Sequence, residues 1–311
     1  MPHATPTPQT GQPRDFVGYG PNPPRVTWPG GVKVAINLVL NYEEGSEYSW
    51  QEDGRNDNWG EYNIPVSPPV RDLGTETHFE YGSRAGVWRL ARLFDRFEIP
   101  VTVSACAVAL ERNPAVVDWM TARGHDLLGH GLRWHEYSTV SREHEERDLR
   151  ESVALYRRLT GERPLGWNCR SFPSTNTRDL LVQEGGFLYH SDPCNDDLPY
   201  FIDHAGTRVL VVPYSKTLND SRYLIAPGYS NPRDFAEDCR SAVDYMLGEA
   251  EETGGRMLTI GIHCRWTGQP NRASGLRDFI DYVKRTPGAG FMRRLDIARF
   301  WLEHHESLPR G

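Results

Sequence analysis

The chain has 311 residues, enough to bury one large core or two smaller ones. With 38% apolar and 25% charged residues, 29 glycines and 23 prolines, it reads as a loop-rich globular protein rather than a disordered or fibrous one. A formal charge of −7 and the lack of a basic stripe exclude a nucleic-acid footprint, so a small-molecule partner is expected.

The opening "MPHATPTPQTGQPR" has neither the basic nor the apolar region of a secretory signal, and no apolar run reaches the roughly 18 residues of a membrane span. Five cysteines (Cys106, Cys169, Cys194, Cys239, Cys264) lack C-x-x-C spacing, which argues against a disulfide framework or a zinc ribbon. A cytoplasmic protein with no membrane contact is the expectation.

Residues 1–13, rich in Pro and Thr, are expected to be a flexible arm, and 14–311 a single catalytic domain. "KVAINLVLNY" is an almost unbroken aliphatic run, as in a strand covered on both faces. A polar insertion at about 46–80 follows, too rich in Gly, Pro, Asn and Asp for regular structure and of the length of a lid or an interface arm. Then "SRAGVWRLARLFDRFE" puts Val87, Leu90, Leu93, Phe94 and Phe97 on one helical face, with Ser83 as N-cap.

From there strands ("IPVTVSA", "HDLLGHG", "PLGWNCR", "FLYHSD", "RVLVVPY", "RMLTIGIHC") alternate with helices ("NPAVVDWMTARG", "SREHEERDLRESVALYRRLTG", "NTRDLLVQEGG", "DFAEDCRSAVDYMLGEAEE", "DIARFWLEHH"). This alternation predicts an α/β protein with parallel strands, a TIM-like (β/α) barrel.

Such barrels carry their chemistry where strands end. Here Glu43 and Glu44 end the first strand, His130 the strand before "GLRW", Arg170 "GWNCR", Asp192 "FLYHSD", and His263 with Arg265 "LTIGIHCR". Adjacent glutamates are usually a solvated pair, but closing a buried strand they need partners, because burying charge is costly. His130 between two glycines leaves backbone room for a ligand, although a satisfied core histidine has the same look. Arg170 and Asp192 read as an ion pair.

In "VLNYEEG", "FEYGSRAGVW", "GHDLLGHGLRW", "TGERPLGW", "NTRDLLVQEGGFLYHSD", "IGIHCRWTGQPNR" and "RRLDIARFW" the chain resembles the polysaccharide deacetylase superfamily, and within it the cofactor-independent bacterial allantoinases of urate breakdown. The resemblance spans about Arg14 to Trp301 and implies a distorted barrel of the deacetylase type. Glu43 and Glu44 match positions where that superfamily carries a catalytic base and a metal ligand. Its H-x-x-x-H ligand pair is here His130 and Trp134, and an indole has no lone pair to give a metal.

The resemblance therefore implies no metal and no other cofactor. It makes Glu43, with Glu44 and His130, the base that activates water, the paired carboxylates pushing one pKa upward. His263 becomes the proton donor to the leaving nitrogen, and Arg170 with Asp192 orients these groups. Trp134, Arg265, Trp167 and Tyr42 are the expected substrate contacts, Arg265 by a bidentate grip.

The expected substrate is a cyclic ureide, imide or amide, and the expected state a homo-oligomer such as a tetramer. One rival is a zinc-dependent N-deacetylase using Glu44, His130 and His135 as ligands. The other is a non-catalytic binding protein on the same fold.

Overall fold

The structure, a computed structural model, describes residues 12–61, 69–171, 173–225 and 228–310. Residues 1–11 of the expected arm and 62–68 of the expected insertion lie outside these ranges.

Strand β1 (Val34–Tyr42) is buried along its whole length. It pairs in parallel with β2 (Thr102–Ala105) on one side and β8 (Arg256–His263) on the other. Beyond β2 the parallel order continues through β3 (Asp126–Gly129), β4 (Gly166–Trp167), β5 (Tyr189–His190) and β7 (Thr207–Val211). An antiparallel strand β6 (Tyr200–His204) edges β7, and β9 (Ala289–Phe291) lies beside the start of β1.

The chain after β7 returns to β8 through a bridge between Asn219 and Gly261, where Gly261 N donates to Leu218 O at 2.9 Å. Arg294 reinforces this seam from inside. Its guanidinium, fully buried, donates to Ser191 Oγ, Asn37 Oδ1, Thr259 Oγ1 and the carbonyls of Val212 and Pro213. The result is a distorted (β/α) barrel.

Helices α1 (Trp50–Asp53) and α2 (Leu73–Tyr81) follow β1, and α3 (Val87–Phe97) leads into β2. Then come α4 (Ala107–Arg112), α5 (Pro114–Ala122), α6 (Arg142–Thr160), α7 (Thr177–Glu184), α8 (Pro232–Thr253), α9 (Pro270–Arg285) and α10 (Arg294–His304). No helix among the described residues is long and apolar enough to cross a membrane.

Alternation along β1 decides what reaches the barrel mouth. Val34, Ile36, Leu38, Leu40 and Tyr42 join the apolar layer beneath the helices, together with Leu258, Ile260 and Ile262 of β8. The intervening residues face inward: Ala35 packs with Ile297, Ala298 and Trp301 of α10, which plug the lower end, and Asn37 bonds to Arg294. Glu43 continues this inward series; Tyr42 does not.

The expectation for 46–80 and Ser83 is corrected. A helix starts at Leu73, where Asp72 Oδ1 accepts from Thr75 N at 3.0 Å, and runs through a π turn at Gly82–Gly86 into α3. Ser83 lies inside it, its hydroxyl bonded to Tyr42 at 2.8 Å and to Asn113 at 2.9 Å. The turn-rich composition hid one capping aspartate. Strands β6 and β9 and helix α9 were also outside the expected set; α9 buries Leu276, Phe279, Ile280 and Val283.

The π turn is a point of close approach, since a Cβ on Gly86 would lie 2.1 Å from the Cys264 carbonyl oxygen. Gly86→Ala is therefore expected to destabilise the fold by ~1–3 kcal/mol in denaturant melts, through overpacking, and to lower activity by displacing the Cys264–Arg265 turn.

Candidate active site

The strand ends open into a cavity of about 540 Å³. Glu43, His130, Arg170, Asp192 and His263 all line it, with Trp59, Trp134 and Trp266 as apolar wall and Asn41, Asn168 and Asn219 as amides. At its floor is the Glu43 carboxylate, only 1% exposed. Glu43 Oε1 lies 3.3 Å from His130 Nε2 and 3.4 Å from His263 Nε2, and Oε2 accepts from Arg265 Nη1 at 2.8 Å.

Each imidazole is held from behind. His130 Nδ1 bonds to the Asn168 carbonyl at 2.7 Å; because a carbonyl only accepts, that nitrogen carries a proton and Nε2 is left to face Glu43. His263 Nδ1 meets Asp220 Oδ1 at 2.6 Å, while Asp220 Oδ2 accepts from His263 N at 2.8 Å and from Thr267 Oγ1 at 2.6 Å.

Burial alone would depress the His263 pKa, but the charges of Glu43 and Asp220 overcome it and raise it to about 9. His263 is thus an imidazolium at neutral pH. Burial pushes Glu43 the other way, yet the charges of His263 and Arg265 together hold it well below the usual carboxylate range. The pKa that rises is that of Glu44, through burial and the neighbouring Glu43 charge. The expected upward push on the base thus falls on its neighbour.

Several expected roles are corrected by position. Glu44 lies outside the cavity lining, where its carboxylate accepts from Glu43 N and Arg265 N, each at 3.1 Å. Arg265 is fully buried between the two glutamates and cannot grip a substrate. Tyr42 and Trp167 belong to the outer apolar layer, one bonded to Ser83 and the other to Cys169 Sγ, so strand alternation turns both away from the cavity.

Arg170 and Asp192 do not pair. Arg170 bonds Asp57 at 2.7 Å, Glu136 at 3.1 Å and the Trp134 carbonyl at 2.6 Å, and its guanidinium covers the Trp134 ring at 3.6 Å. Asp192 instead accepts from Cys169 N at 2.6 Å.

Sequence reasoning missed Asp220 and Asp57. Asp57 sits in the stretch read as insertion, and Asp220 in the loop after β7, where nothing in the spacing marks a histidine's partner.

The donors for a metal are also placed. Trp134 holds the H-x-x-x-H position, and His135 stacks on Tyr48 at 4.2 Å, beside Asp53, with burial lowering its pKa to about 4. Among the described residues no three His, Cys, Asp or Glu side chains are grouped to hold an ion. These residues do not fit the three-ligand zinc site that the fold implies.

Comparison with known proteins then decides the family. A protein of Schizosaccharomyces pombe named "Putative polysaccharide deacetylase" is 35% identical over 94% of this chain and 98% of its own length. The chain belongs to the polysaccharide deacetylase family. The model of that family, described as "Polysaccharide deacetylase", matches residues 76–184.

Two solved structures extend the likeness. "Probable Polysaccharide deacetylase" from Pseudomonas aeruginosa PAO1 superposes with a TM-score of 0.89 at 41% identity, covering 94% of this chain and 99% of that one. Puue allantoinase gives 0.89 and 41%, covering 94% and 98%. This family member is a hydrolase of carbon–nitrogen bonds other than peptide bonds.

The raised His263 pKa makes two predictions. The His263 ion pairs stabilise the fold fully below the ordinary value of 6.5, and that contribution is lost as pH rises through about 9. If protonated His263 is the acid, kcat/KM falls through the same window, and Asp220→Asn moves the falling limb to lower pH. Rate profiles of the two proteins measure the shift.

Proposed function

We propose that this protein opens the ring of a small cyclic ureide, in the manner of an allantoinase, using protein groups without a metal. The reading is supported by the likeness to an allantoinase along nearly the whole chain. The cavity, about 540 Å³, has a volume suited to a small molecule. The observation that carries it is the approach of both imidazoles to Glu43 Oε1, with Asp220 behind one of them.

Water lying against Glu43 loses a proton to the carboxylate as its oxygen attacks the ring carbonyl carbon. The carbon–nitrogen bond then breaks, and His263 Nε2 delivers its proton to the leaving nitrogen. The two transfers assist each other: as His263 gives up its charge, a cation that held the Glu43 pKa down disappears, and the carboxyl keeps the proton it has taken. Asn41, Asn168 and Asn219 present amide donors and acceptors to the ureide, and the tryptophans cover its faces. Arg170 fixes the Trp134 wall. We place the protein in the cytoplasm, as a homo-oligomer in which exposed Phe16 and Val17 are covered.

The test is a screen of allantoin, hydantoins, cyclic imides and N-acetylated amines, each with and without chelator. Ring opening that survives chelation is expected. Activity confined to N-acetylated amines, lost with chelator and restored by zinc, would establish the deacetylase rival instead. Glu43→Gln is expected to lower kcat roughly 10²–10⁴-fold while the protein stays folded; unchanged turnover would remove Glu43 as base.

A further inference from the structure

The two glutamates at the barrel mouth are both buried, at 1% exposure each, and a buried carboxylate pair requires a compensating cation. In this chain the cation is part of the protein. Arg265 Nη1 lies 2.8 Å from Glu43 Oε2 and 3.4 Å from Glu44 Oε1, and the Arg265 backbone N–H also reaches Glu44 Oε1. Nε is anchored on the Trp59 carbonyl at 3.2 Å.

Aromatic rings surround the guanidinium: Trp266 at 4.1 Å, Phe79 at 4.5 Å and Trp134 at 4.9 Å from its central carbon. Planar and weakly hydrated, an arginine tolerates such a setting and keeps its charge. Any divalent ion approaching Glu43 and Glu44 would meet a fixed positive charge already bonded to both.

We propose that Arg265 is the resident cation of this site: its guanidinium holds the two glutamates in place of a divalent ion, and it bars such an ion even when a third ligand is provided. Arg265 touches no substrate, so it is a positioning residue that acts through Glu43. The inference deepens the metal-free reading above and rests on it, but assigns the exclusion to a second residue besides Trp134.

Metal binding, read without substrate, separates the two. Chelator-stripped proteins are titrated with Co²⁺ and followed by visible absorption, alongside circular dichroism for folding. Trp134→His, which completes the H-x-x-x-H spacing, is expected to bind no stoichiometric Co²⁺, whereas Trp134→His with Arg265→Met is expected to bind one per chain. One equivalent of Co²⁺ held by Trp134→His alone would overturn the proposal, as would a folded double variant that binds none. Neither result bears on which substrate is hydrolysed.

If that double variant does not fold, Trp134→His with Arg265→Lys and Trp134→His with Arg265→Gln replace it in the same Co²⁺ titration. The Lys variant, which keeps the charge, is expected to bind none and the Gln variant one per chain. Equal binding in both would contradict the role.

Discussion

A carboxylate buried at the end of a hydrophobic strand is unstable unless opposite charge is fixed around it. In this protein that carboxylate is Glu43, and the compensation is divided between the Arg265 guanidinium on one oxygen and the His263 imidazolium on the other. Most other features of the site follow from keeping these partners in register. Asp220 exists in the cluster because His263 must stay charged, Asn168 because His130 must present Nε2, and the aromatic cage because Arg265 must stay put.

The fold supplies that register by parallel pairing. β1 lies between β2 and β8, with Asn41 opposite His263, so base and acid leave adjacent strands within two residues of the same level. The His130 strand is one further along. The remaining support comes from chain segments packed on top: the π turn allows Gly82 and Gly86 to press against Glu44 and the Cys264 carbonyl, closing the outer side of the cluster. Below, Arg294 ties the β7 end to β1 and β8, so the seam of an incompletely laddered barrel does not part under the cavity.

Much of this was legible in the sequence where periodicity speaks. The aliphatic runs marked β1 and β8, the amphipathic repeats marked α3, α6 and α8, and the polar residues after strands marked Glu43, His130, Arg170, Asp192 and His263, which the cavity gathers. What stayed hidden depends on phase and on long-range contacts. Tyr42 and Trp167 stand at strand ends as Glu43 does, yet the two-residue alternation sends them outward. Arg265 looked like a substrate grip because its charge was visible and its burial was not. Asp57 and Asp220 come from loops far along the chain from Arg170 and His263, and no spacing rule links them. Helix α2 escaped because its cap lies in a Pro- and Gly-rich stretch.

The central claim is that Glu43 is held as an ionised carboxylate by the charges around it, whereas its neighbour Glu44 is the member of the pair pushed toward protonation. Difference infrared spectra of Glu43→Gln and Glu44→Gln against the parent protein at mildly acid pH test this directly. The account predicts that Glu43→Gln removes an ionised carboxylate band, and that of the pair only Glu44→Gln removes a protonated carboxyl band, over the background of Glu47 and Asp126, which burial pushes up to about 7 and about 6. Loss of a protonated carboxyl band on Glu43→Gln would contradict it.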